Sequence, residues 1–428
     1  MAVVKIPYSK GFVDLAVDEQ NLAGVLESQA HHYTPAASQA DLVRQALEHP
    51  IGSPRLRELA KGKARIVIIT SDHTRPVPSK ITLPLLLAEV REGNPQADIT
   101  ILIATGFHRL TTPAEMLNKF GETIVQNERL VNHDCRDEAS LVEVGTLPSG
   151  GRLVLNRLAV EADLLISEGF IEPHFFAGFS GGRKSVMPGV ASATTVLANH
   201  CAQFIGSPKA RAGILDGNPI HIDMLYAAKV VNLAFILNVV IDAEKRIIKA
   251  FAGHMEAAYL QGCEFVTTLA SVRAKPADIV ITSNGGYPLD QNIYQAVKGM
   301  TAAEATANKD AVIIIAAACN DGHGGQDFYE TFLKNPSARA IHDEIMQIPM
   351  EETIPDQWES QILARIVQNH QVILVTDQCD PQLVRNMHMI HSFSLDDALQ
   401  TAYAIKGREA SVTVVPDGVS VIVLPENA

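Results

Sequence analysis

Two histidines of this chain, His108 and His174, are of the residue type best suited to proton transfer at neutral pH. His108 ends the segment Thr105-Gly-Phe-His108, and His174 lies in the segment Glu172-Pro-His174. A reaction that inverts a carbon centre needs one proton-transfer group on each face of that carbon, and this pair would supply both. The alternative is that one histidine is structural and the other is only exposed.

A glycine-rich segment follows His174 and reads Phe175-Phe-Ala-Gly-Phe-Ser-Gly-Gly-Arg-Lys184-Ser. Glycines let the backbone approach a ligand closely, and amides at a following helix start can hold a phosphate beside Lys184. The alternative is a flexible turn with a surface lysine. A P-loop needs a glycine directly before the lysine, and a dinucleotide fold needs G-x-G-x-x-G. The chain has neither, which argues against an NTPase or a standard NAD enzyme.

Arg75 lies in Asp72-His-Thr-Arg75-Pro, a loop that Pro76 and Pro78 stiffen. A rigid guanidinium suits a carboxylate or a phosphate, and the alternative is a salt bridge between domains. His200, in Ala198-Asn-His200-Cys, has no second histidine four residues away. A lone imidazole is more often packed than metal-bound, so metal binding by His200 is the weaker interpretation of the residues alone.

A second cluster of polar residues follows a predicted strand at 278–282. If residues 292–299 are helical, Tyr294, Gln295 and Lys298 share a face that can bind a carboxylate and a hydroxyl group. The alternative is an ordinary polar helix face. Trp358, the single tryptophan, could close a small pocket, although tryptophan more often lies in a core.

Six β-branched runs predict the strands that must position these residues, at 65–70, 98–103, 163–167, 278–282, 311–315 and 371–375. Helix-like stretches at 84–92 and 113–119 lie between them, and Ser411–Pro425 predicts two strands joined at Pro416-Asp-Gly. We expect an α/β fold of two α/β domains with largely parallel sheets and an active-site cleft between them. The predicted domains are 1–272, which carries the histidines, and 273–428. Because ligands bind beyond the carboxyl ends of parallel strands, Asp72, Arg75, His108 and His174 should converge.

The composition limits the partners of the chain. Its 428 residues carry a formal charge of −13, which disfavours nucleic acid as a partner. The five cysteines are dispersed and never spaced as C-x-x-C, so no disulfide framework or zinc knuckle is predicted. We find no signal-type segment and no apolar run long enough to span a membrane, and we expect a cytoplasmic protein.

Together these motifs resemble the nickel-pincer-nucleotide-dependent lactate racemase family. The resemblance runs from Asp72-His-Thr-Arg75-Pro through the segment at 174–185 to Gly285-Gly-Tyr-Pro-Leu-Asp-Gln-Asn-Ile-Tyr-Gln-Ala-Val-Lys298 and Val414-Val-Pro-Asp-Gly. It implies interconversion of L- and D-lactate by hydride transfer to and from a cofactor, through a pyruvate intermediate. His108 and His174 would then be the two acid–base residues.

The implied cofactor is nickel bound to pyridinium-3-thioamide-5-thiocarboxylic acid mononucleotide. The resemblance implies that Lys184 is joined to it covalently and that His200 is the protein ligand of nickel, which sulfur and imidazole ligands suit. It also implies that other enzymes synthesise the cofactor and act as partners. The residues implied for cofactor binding are Asp72, His73, Thr74, Arg75, Gly178, Ser180, Gly181, Gly182 and Lys184. Those implied for substrate binding are Arg75, Tyr294, Gln295, Lys298 and Trp358.

Three other functions stay open. The chain could racemise another short 2-hydroxy acid with the same cofactor. It could be a zinc-dependent hydrolase or aldolase that uses the same histidines, or a protein that binds a nucleotide or carboxylate without turnover. Rates on different acids, stoichiometric zinc, or binding without turnover would distinguish these from lactate racemisation.

Overall fold

Two six-stranded sheets form the framework of the computed structural model, which describes residues 1–426 apart from the side chain of His31. The first sheet has the order β13-β12-β9-β4-β5-β6, and the second has the order β18-β17-β16-β15-β19-β3. The strands are β1 (Ala2–Tyr8), β2 (Gly11–Val17), β3 (Leu22–Val25), β4 (Arg65–Ser71), β5 (Asp98–Ala104), β6 (Arg129–Asn132), β7 (Leu141–Thr146), β8 (Arg152–Asn156), β9 (Leu164–Phe170), β10 (Pro173–His174), β11 (Gly178–Phe179), β12 (Leu233–Ile241), β13 (Ile247–Gly253), β14 (Ser271–Arg273), β15 (Ala277–Ser283), β16 (Ala307–Ala316), β17 (Gln371–Val375), β18 (Ile390–Ser392), β19 (Val412–Val415) and β20 (Ile422–Leu424).

Helices connect these strands. They are α1 (Gln39–Glu48), α2 (Leu56–Leu59), α3 (Ser79–Gly93), α4 (Pro113–Phe120), α5 (Glu122–Asn127), α6 (Arg157–Val160), α7 (Ala193–Asn199), α8 (Ala202–Ile205), α9 (Pro219–Val230), α10 (Ala257–Ala270), α11 (Ile293–Glu304), α12 (Gln326–Lys334), α13 (Ala338–Ile345), α14 (Gln357–Asn369), α15 (Pro381–Asn386) and α16 (Leu395–Lys406).

The predicted α/β fold with largely parallel sheets is confirmed. Apart from the antiparallel pair β12–β13, every pairing within the two large sheets is parallel. The central strands are buried on both faces, which is why their sequences are continuous apolar runs rather than alternating ones. In the first sheet, β4 lies between β5 and β9, so the strand order reverses there. Such a reversal opens a crevice beyond the carboxyl ends of the strands.

The N-terminal segment contributes to the second sheet. Strand β3 pairs in parallel with β19, and Ile6 and Leu15 of the first hairpin share a hydrophobic cluster with Ile279 and Val414 of the second sheet. The predicted domain that begins at residue 1 thus has its first strands packed with the second sheet. The predicted boundary near residue 272 stays a prediction.

Two local predictions need correction. The predicted helix at 84–92 begins earlier, at Ser79, and has Pro84 inside it. Its first turn is stabilised by a contact distant in sequence, because Ser79 and Thr82 donate hydrogen bonds to the buried carboxylate of Glu168. The two strands predicted in 411–425 exist, but they are not paired with each other. Strand β19 joins the large sheet, whereas β20 pairs with β14.

No helix within residues 1–426 is long and apolar enough to cross a membrane.

Candidate active site

The loop after β4 builds a charged pair with the loop after β5. Asp72 is 1% exposed and accepts hydrogen bonds from the backbone N–H of Thr74 at 3.1 Å and from its hydroxyl at 2.7 Å. Its other carboxylate oxygen lies 2.7 Å from Nδ1 of His108. The carboxylate thus ties the two strand ends together.

The charge of Asp72 determines which ring nitrogen of His108 carries the proton. Burial favours a higher pKa for Asp72, but the hydrogen bond and charge of His108, together with Arg75 and Thr74, outweigh it and lower the pKa to about 2. An ionised carboxylate only accepts hydrogen bonds, so Nδ1 of His108 must be the donor. In the neutral ring this leaves Nε2 as an unprotonated nitrogen that can act as a base.

The segment that carries His108 is held by residues that the sequence analysis did not single out. The Thr105 hydroxyl donates to the backbone carbonyl of His133, and the N–H of Gly106 donates to the carbonyl of Gly189 at 3.1 Å. His133 itself is fully buried, with Nε2 3.0 Å from the carbonyl of Ala191. These bonds anchor the loop to a rigid interior, while the His108 side chain stays 39% exposed.

The glycine-rich segment is wrapped around one buried guanidinium. Arg183 is 1% exposed and donates to the carbonyls of Ala177 and Phe179, both at 2.7 Å. It also donates to Nδ1 of His221 at 3.0 Å and to the hydroxyl of Tyr259. Arg183 therefore satisfies carbonyls that the turn would otherwise leave unpaired in the interior. It is a structural residue that the sequence analysis missed.

The glycines of this segment are needed where the backbone turns. Gly178 has φ +79°, and an added Cβ would lie 2.5 Å from the carbonyl oxygen of Ile214. Gly181 has φ +80°, and its Cβ would lie 2.7 Å from the carbonyl oxygen of Phe170. The next N–H, of Gly182, donates to Asn238 Oδ1 at 2.7 Å. Only glycine fits both the dihedral angles and the space.

Lys184 differs sharply from its neighbour Arg183. No acceptor in the described part of the chain lies within hydrogen-bond or ion-pair distance of its ammonium, which is 5.8 Å from the centre of the Phe176 ring. Burial, followed by the positive charges of Arg183, Arg75 and Lys298, lowers the pKa of Lys184 well below its usual value. An amine in this state has an increased neutral fraction and is a better nucleophile.

His174 and His200 lie in one aromatic cluster. The ring of Phe176 is 4.5 Å from that of His174 and 5.1 Å from that of His200, and Trp358 lies 5.0 Å from His200. Trp358 comes from the second half of the chain and also contacts Phe107, next to His108. The cluster therefore links the strand ends of the first sheet to α14.

The neutral ring of His174 carries its proton on the other nitrogen from that of His108. Its Nδ1 accepts the backbone N–H of Ala177 at 3.2 Å, so the neutral ring carries its proton on Nε2. Burial, followed by the charges of Lys184, Lys298 and Arg75, lowers the pKa of His174 well below 6.5.

His200 is 5% exposed, and its buried Nδ1 has no hydrogen-bond partner among the residues that the structure describes. Burial, followed by the charge of Lys184, lowers its pKa to about 3. A buried, neutral imidazole without a partner is the form that binds a metal ion.

Helix α11 brings the second polar cluster to the cleft. Asn292 caps its N-terminus by accepting the N–H of Gln295 at 2.9 Å, and Lys298 donates to Oε1 of Gln295 at 2.6 Å. Tyr294 accepts a hydrogen bond from the indole N–H of Trp358 at 3.0 Å. The segment is helical, as the shared face of Tyr294, Gln295 and Lys298 requires; Gln295 and Lys298 contact each other on it, and Tyr294 contacts Trp358.

A cavity of about 480 Å³ lies between the two halves of the chain. Of the predicted site residues, Thr74, Arg75, His174, Ser180 and Lys298 line it. So do Glu172 and Lys245, which the sequence analysis did not include. Arg75 donates to the Thr74 hydroxyl at 3.1 Å and forms no ion pair within the described residues. Its guanidinium is free to bind an anion, and the alternative of an interdomain salt bridge is not observed there.

The other predicted residues stand in different relations to this cavity. Asp72 and His108 do not line the cavity themselves, but both contact the hydroxyl of Thr74, which does. Lys184, His200, Tyr294 and Trp358 belong to the aromatic cluster beside the cavity. Gly178, Gly181 and Gly182 shape the loop. His73 is not brought to the cavity, because Nδ1 lies 3.2 Å from the Thr111 hydroxyl and 3.9 Å from Glu115.

Comparison with known proteins shows similarity over almost the whole chain. Residues 8–213 match the family model described as lactate racemase N-terminal domain, and residues 272–423 match the lactate racemase C-terminal domain. The chain is 58% identical over 423 residues to the lactate racemase of Thermoanaerobacterium thermosaccharolyticum, covering 99% of each protein. It is 55% identical to the lactate racemase of Lactiplantibacillus plantarum, covering 99% of this chain and 100% of that protein.

Solved structures show the same fold. The lactate racemase apoprotein from Thermoanaerobacterium thermosaccharolyticum superposes with a TM-score of 0.96 at 57% identity, covering 99% of this chain and 100% of the other. A protein from Thermotoga maritima has a TM-score of 0.67 at 20% identity, covering 92% and 99%. At that identity the second likeness concerns the fold alone.

Proposed function

We propose that this chain, which belongs to the lactate racemase family, interconverts L- and D-lactate by hydride transfer with a nickel-pincer nucleotide. One observation carries the proposal. Lys184 and His200 lie against the same ring, Phe176, and neither the Lys184 ammonium nor Nδ1 of His200 has a hydrogen-bond partner in the described chain. These are the two residues that the family resemblance implies for the cofactor, and both lie near one aromatic ring.

The residues present fit such a cofactor. The lowered pKa of Lys184 favours the neutral amine, which would condense with a thiocarboxyl group of the cofactor, with loss of water, to give a thioamide. The lowered pKa of His200 keeps its imidazole available to nickel. Arg75, Lys245 and Lys298 give the cavity positive charge for a phosphate or a carboxylate. When bound, the cofactor supplies the acceptor and donor of hydride.

The protein itself moves the hydroxyl proton. His108, with an ionised Asp72 on Nδ1 and a free Nε2, would accept a proton as a general base. His174 would donate a proton only in its protonated form, because a neutral imidazole does not give up its Nε2 proton near neutral pH. Racemisation needs each role on one face of the substrate, and reversal of the two roles gives the other enantiomer.

The remaining residues orient the acid and exclude water. Arg75 and Lys298 approach the cavity from opposite halves of the chain, so a small carboxylate between them would be held by two charge-assisted contacts. Gln295 orients Lys298 through its hydrogen bond. Trp358 and Phe107 cover the aromatic side of the site, where dry surroundings strengthen these interactions.

The zinc hydrolase or aldolase alternative has little support. Within residues 1–426 no three His, Cys, Asp or Glu side chains are placed to hold a metal ion together, whereas zinc sites use three or four protein ligands. A nickel ion held largely by an organic cofactor needs only one protein ligand. We also propose that cofactor-synthesising enzymes are required partners, and that the protein acts in the cytoplasm.

The test is production of D-lactate. We would purify the protein from cells that make the nickel-pincer nucleotide, add L-lactate, and follow D-lactate by chiral chromatography, nickel by elemental analysis and the Lys184 adduct by intact mass. Lys184→Met, which lacks the attachment point, is the control. An adduct with nickel but without D-lactate would reject lactate in favour of another 2-hydroxy acid, with malate and 2-hydroxybutyrate tried next. No adduct from cofactor-producing cells would reject the cofactor.

A further inference from the structure

The backbone of Arg75 is held on both sides, by bonds that the proposed reaction has not yet used. Its N–H donates to the carbonyl of Asp72 at 3.3 Å, and its own carbonyl accepts a hydrogen bond from the ammonium of Lys119 at 2.8 Å. A β-turn would satisfy this carbonyl from the residue three positions later, but that residue is Pro78, which has no N–H. The carbonyl therefore depends on a donor from elsewhere in the chain, and Lys119 is that donor.

Lys119 reaches the carbonyl from a firmly held helix. It lies in the last turn of α4, at whose start Thr112 and Glu115 form a capping box. The residue before the cap, Thr111, exchanges two hydrogen bonds of 3.0 Å with the side chain of Asn132 at the end of β6. The helix is thus fixed to the first sheet, and Lys119 extends from a rigid base.

The ammonium of Lys119 lies where its surroundings disfavour a charge. Burial lowers the pKa of Lys119, whereas the charges of Glu168 and Asp72 act in the opposite direction. In the described part of the chain no carboxylate forms an ion pair with this ammonium, and its hydrogen bond goes to the Arg75 carbonyl. A lysine near the end of a surface helix ordinarily keeps its ammonium in water. The inward position costs hydration and needs an explanation.

Closure of the helix end does not explain it. The end of α4 is closed by Gly121, whose N–H donates to the carbonyl of Leu117 at 3.0 Å. Lys119 donates to no carbonyl of its own helix. Its bond therefore serves the loop that carries Arg75 rather than the helix from which it extends.

We infer that Lys119 is a positioning residue that holds the Arg75 peptide, so that the guanidinium of Arg75 is directed into the cavity, where it binds the carboxylate of the substrate. Arg75 lines the cavity and Lys119 does not, so Lys119 acts through Arg75. The inference rests on the proposed function for the identity of that carboxylate. A misplacement of about 1 Å at an orienting group can cost roughly 10²-fold in rate, so a single bond to the backbone of such a group matters.

Lys80 offers a matched control at the same corner of the molecule. It is an exposed residue of α3, and its Cγ lies 3.8 Å from the point that a Cβ on Gly121 would occupy. Within residues 1–426 its ammonium has no hydrogen-bond or ion-pair partner. Lys80→Met and Lys119→Met therefore remove the same group from nearby positions, but only the second removes a bond to the Arg75 carbonyl.

The first experiment measures the loop without any cofactor. Amide hydrogen exchange of the full-length apoprotein is followed by mass spectrometry in a peptide spanning residues 71–77. In Lys119→Met we expect the hydrogen-bonded amides of Thr74 and Arg75 to exchange roughly tenfold faster or more, because a charge-assisted bond to the loop is lost. Lys80→Met should exchange as the wild type does. An unchanged rate in Lys119→Met overturns the inference, and so does an equal acceleration in strand β9, since that would mean a structural role.

The second experiment measures the effect on the substrate. In the loaded enzyme, with rates normalised to nickel and adduct content, Lys119→Met should raise KM for lactate roughly tenfold while kcat changes less. Lys119→Arg, which keeps a donor, should recover most of the loss, and Lys80→Met should behave as the wild type. An unchanged KM, or a lower melting temperature without recovery in Lys119→Arg, overturns the inference. Absence of racemisation in the wild type would instead reject the proposed function, and hydrogen exchange would then test the role of Lys119 alone.

Discussion

The loops after β4 and β5 differ in their electrostatics from the segment after β9, although each region presents one histidine. In the first region an ionised Asp72 accepts a hydrogen bond from His108 at 2.7 Å. In the second region His174 receives a backbone N–H and faces the cations Lys184, Lys298 and Arg75. The first environment places a negative charge beside its histidine, whereas the second places positive charges around a histidine whose pKa is lowered.

This difference indicates that a reaction between two enantiomers of equal free energy does not need two equivalent histidine environments. L- and D-lactate have equal free energies, so kcat/KM must be the same in both directions whatever the site looks like. The unequal environments of His108 and His174 can appear only as matched differences in kcat and KM.

The largest effect should come from removing either histidine. His108→Ala and His174→Ala should each lower kcat by roughly 10²- to 10⁴-fold in both directions, because each passage needs one base and one acid. Initial rates from L- and from D-lactate would be measured with nickel and adduct content matched to the wild type. If one variant kept a normal rate, the comparison would fail, since only one histidine would take part in proton transfer.

The next effect concerns stability within the second region. Arg183→Met should lower the free energy of unfolding by about 3 kcal/mol or more, because it leaves the buried carbonyls of Ala177 and Phe179 without donors. Lys184→Met is the matched control one residue away and should not lower it, because the Lys184 ammonium has no hydrogen-bond or ion-pair partner among the described residues. Urea denaturation of the two apoproteins measures this. Equal losses would contradict the assignment of one residue to structure and the other to chemistry.

Asp72→Asn tests the first region. The folded-state pKa of Asp72 is lowered from 3.8 to about 2. Its contribution to the free energy of unfolding, roughly 2 kcal/mol, is therefore present above about pH 4 and is lost as the pH falls through about 2. The variant should be less stable than the wild type at pH 7, with the difference vanishing near pH 2. We also expect kcat to fall roughly 10- to 100-fold, as with other residues that orient a functional histidine. A difference in stability that does not change with pH would refute the charge assignment.

The smallest expected effect is that the His174 ring does not change its protonation state near neutral pH. In ¹⁵N NMR spectra of the apoprotein, His174 should remain the Nε2–H tautomer between pH 5 and 8, because its folded pKa lies well below 6.5. His108 should show the Nδ1–H tautomer when neutral. The two histidine variants provide the assignments. A His174 signal that titrates near pH 6.5, or the same tautomer for both rings, would remove the distinction between the regions.

The convergence of the site was predictable because it follows from local patterns. Continuous apolar runs predicted the buried strands, and parallel polarity then put Asp72, Arg75, His108 and His174 at one edge. The roles proposed for Lys184 and His200 rest only on the family resemblance, since a single histidine predicts no metal site. The composition and residue spacing of a chain do not predict the chemistry of an organic cofactor.

What the sequence did not predict depends on contacts between distant residues. Arginine is rarely buried, so nothing in the sequence marked Arg183 as the residue that supports the glycine-rich turn. The start of α3 depends on Glu168, which lies about ninety positions away in the chain and accepts from Ser79 at 3.2 Å. His73 was expected beside the cofactor with its neighbours, but its ring turns to Thr111 on the next loop.

The pairing of β3 with β19 has a consequence for synthesis of the chain. Leu22 pairs with Val412, so strand β3 must wait for its partner while about 390 further residues are added. At ribosomal rates this wait lasts roughly 20 to 80 s. Through that time an edge of β-structure and the apolar side of its hairpin stay uncovered. Contacts of such long sequence separation slow folding, so the nascent protein has a prolonged period of exposure to aggregation in which chaperones would act.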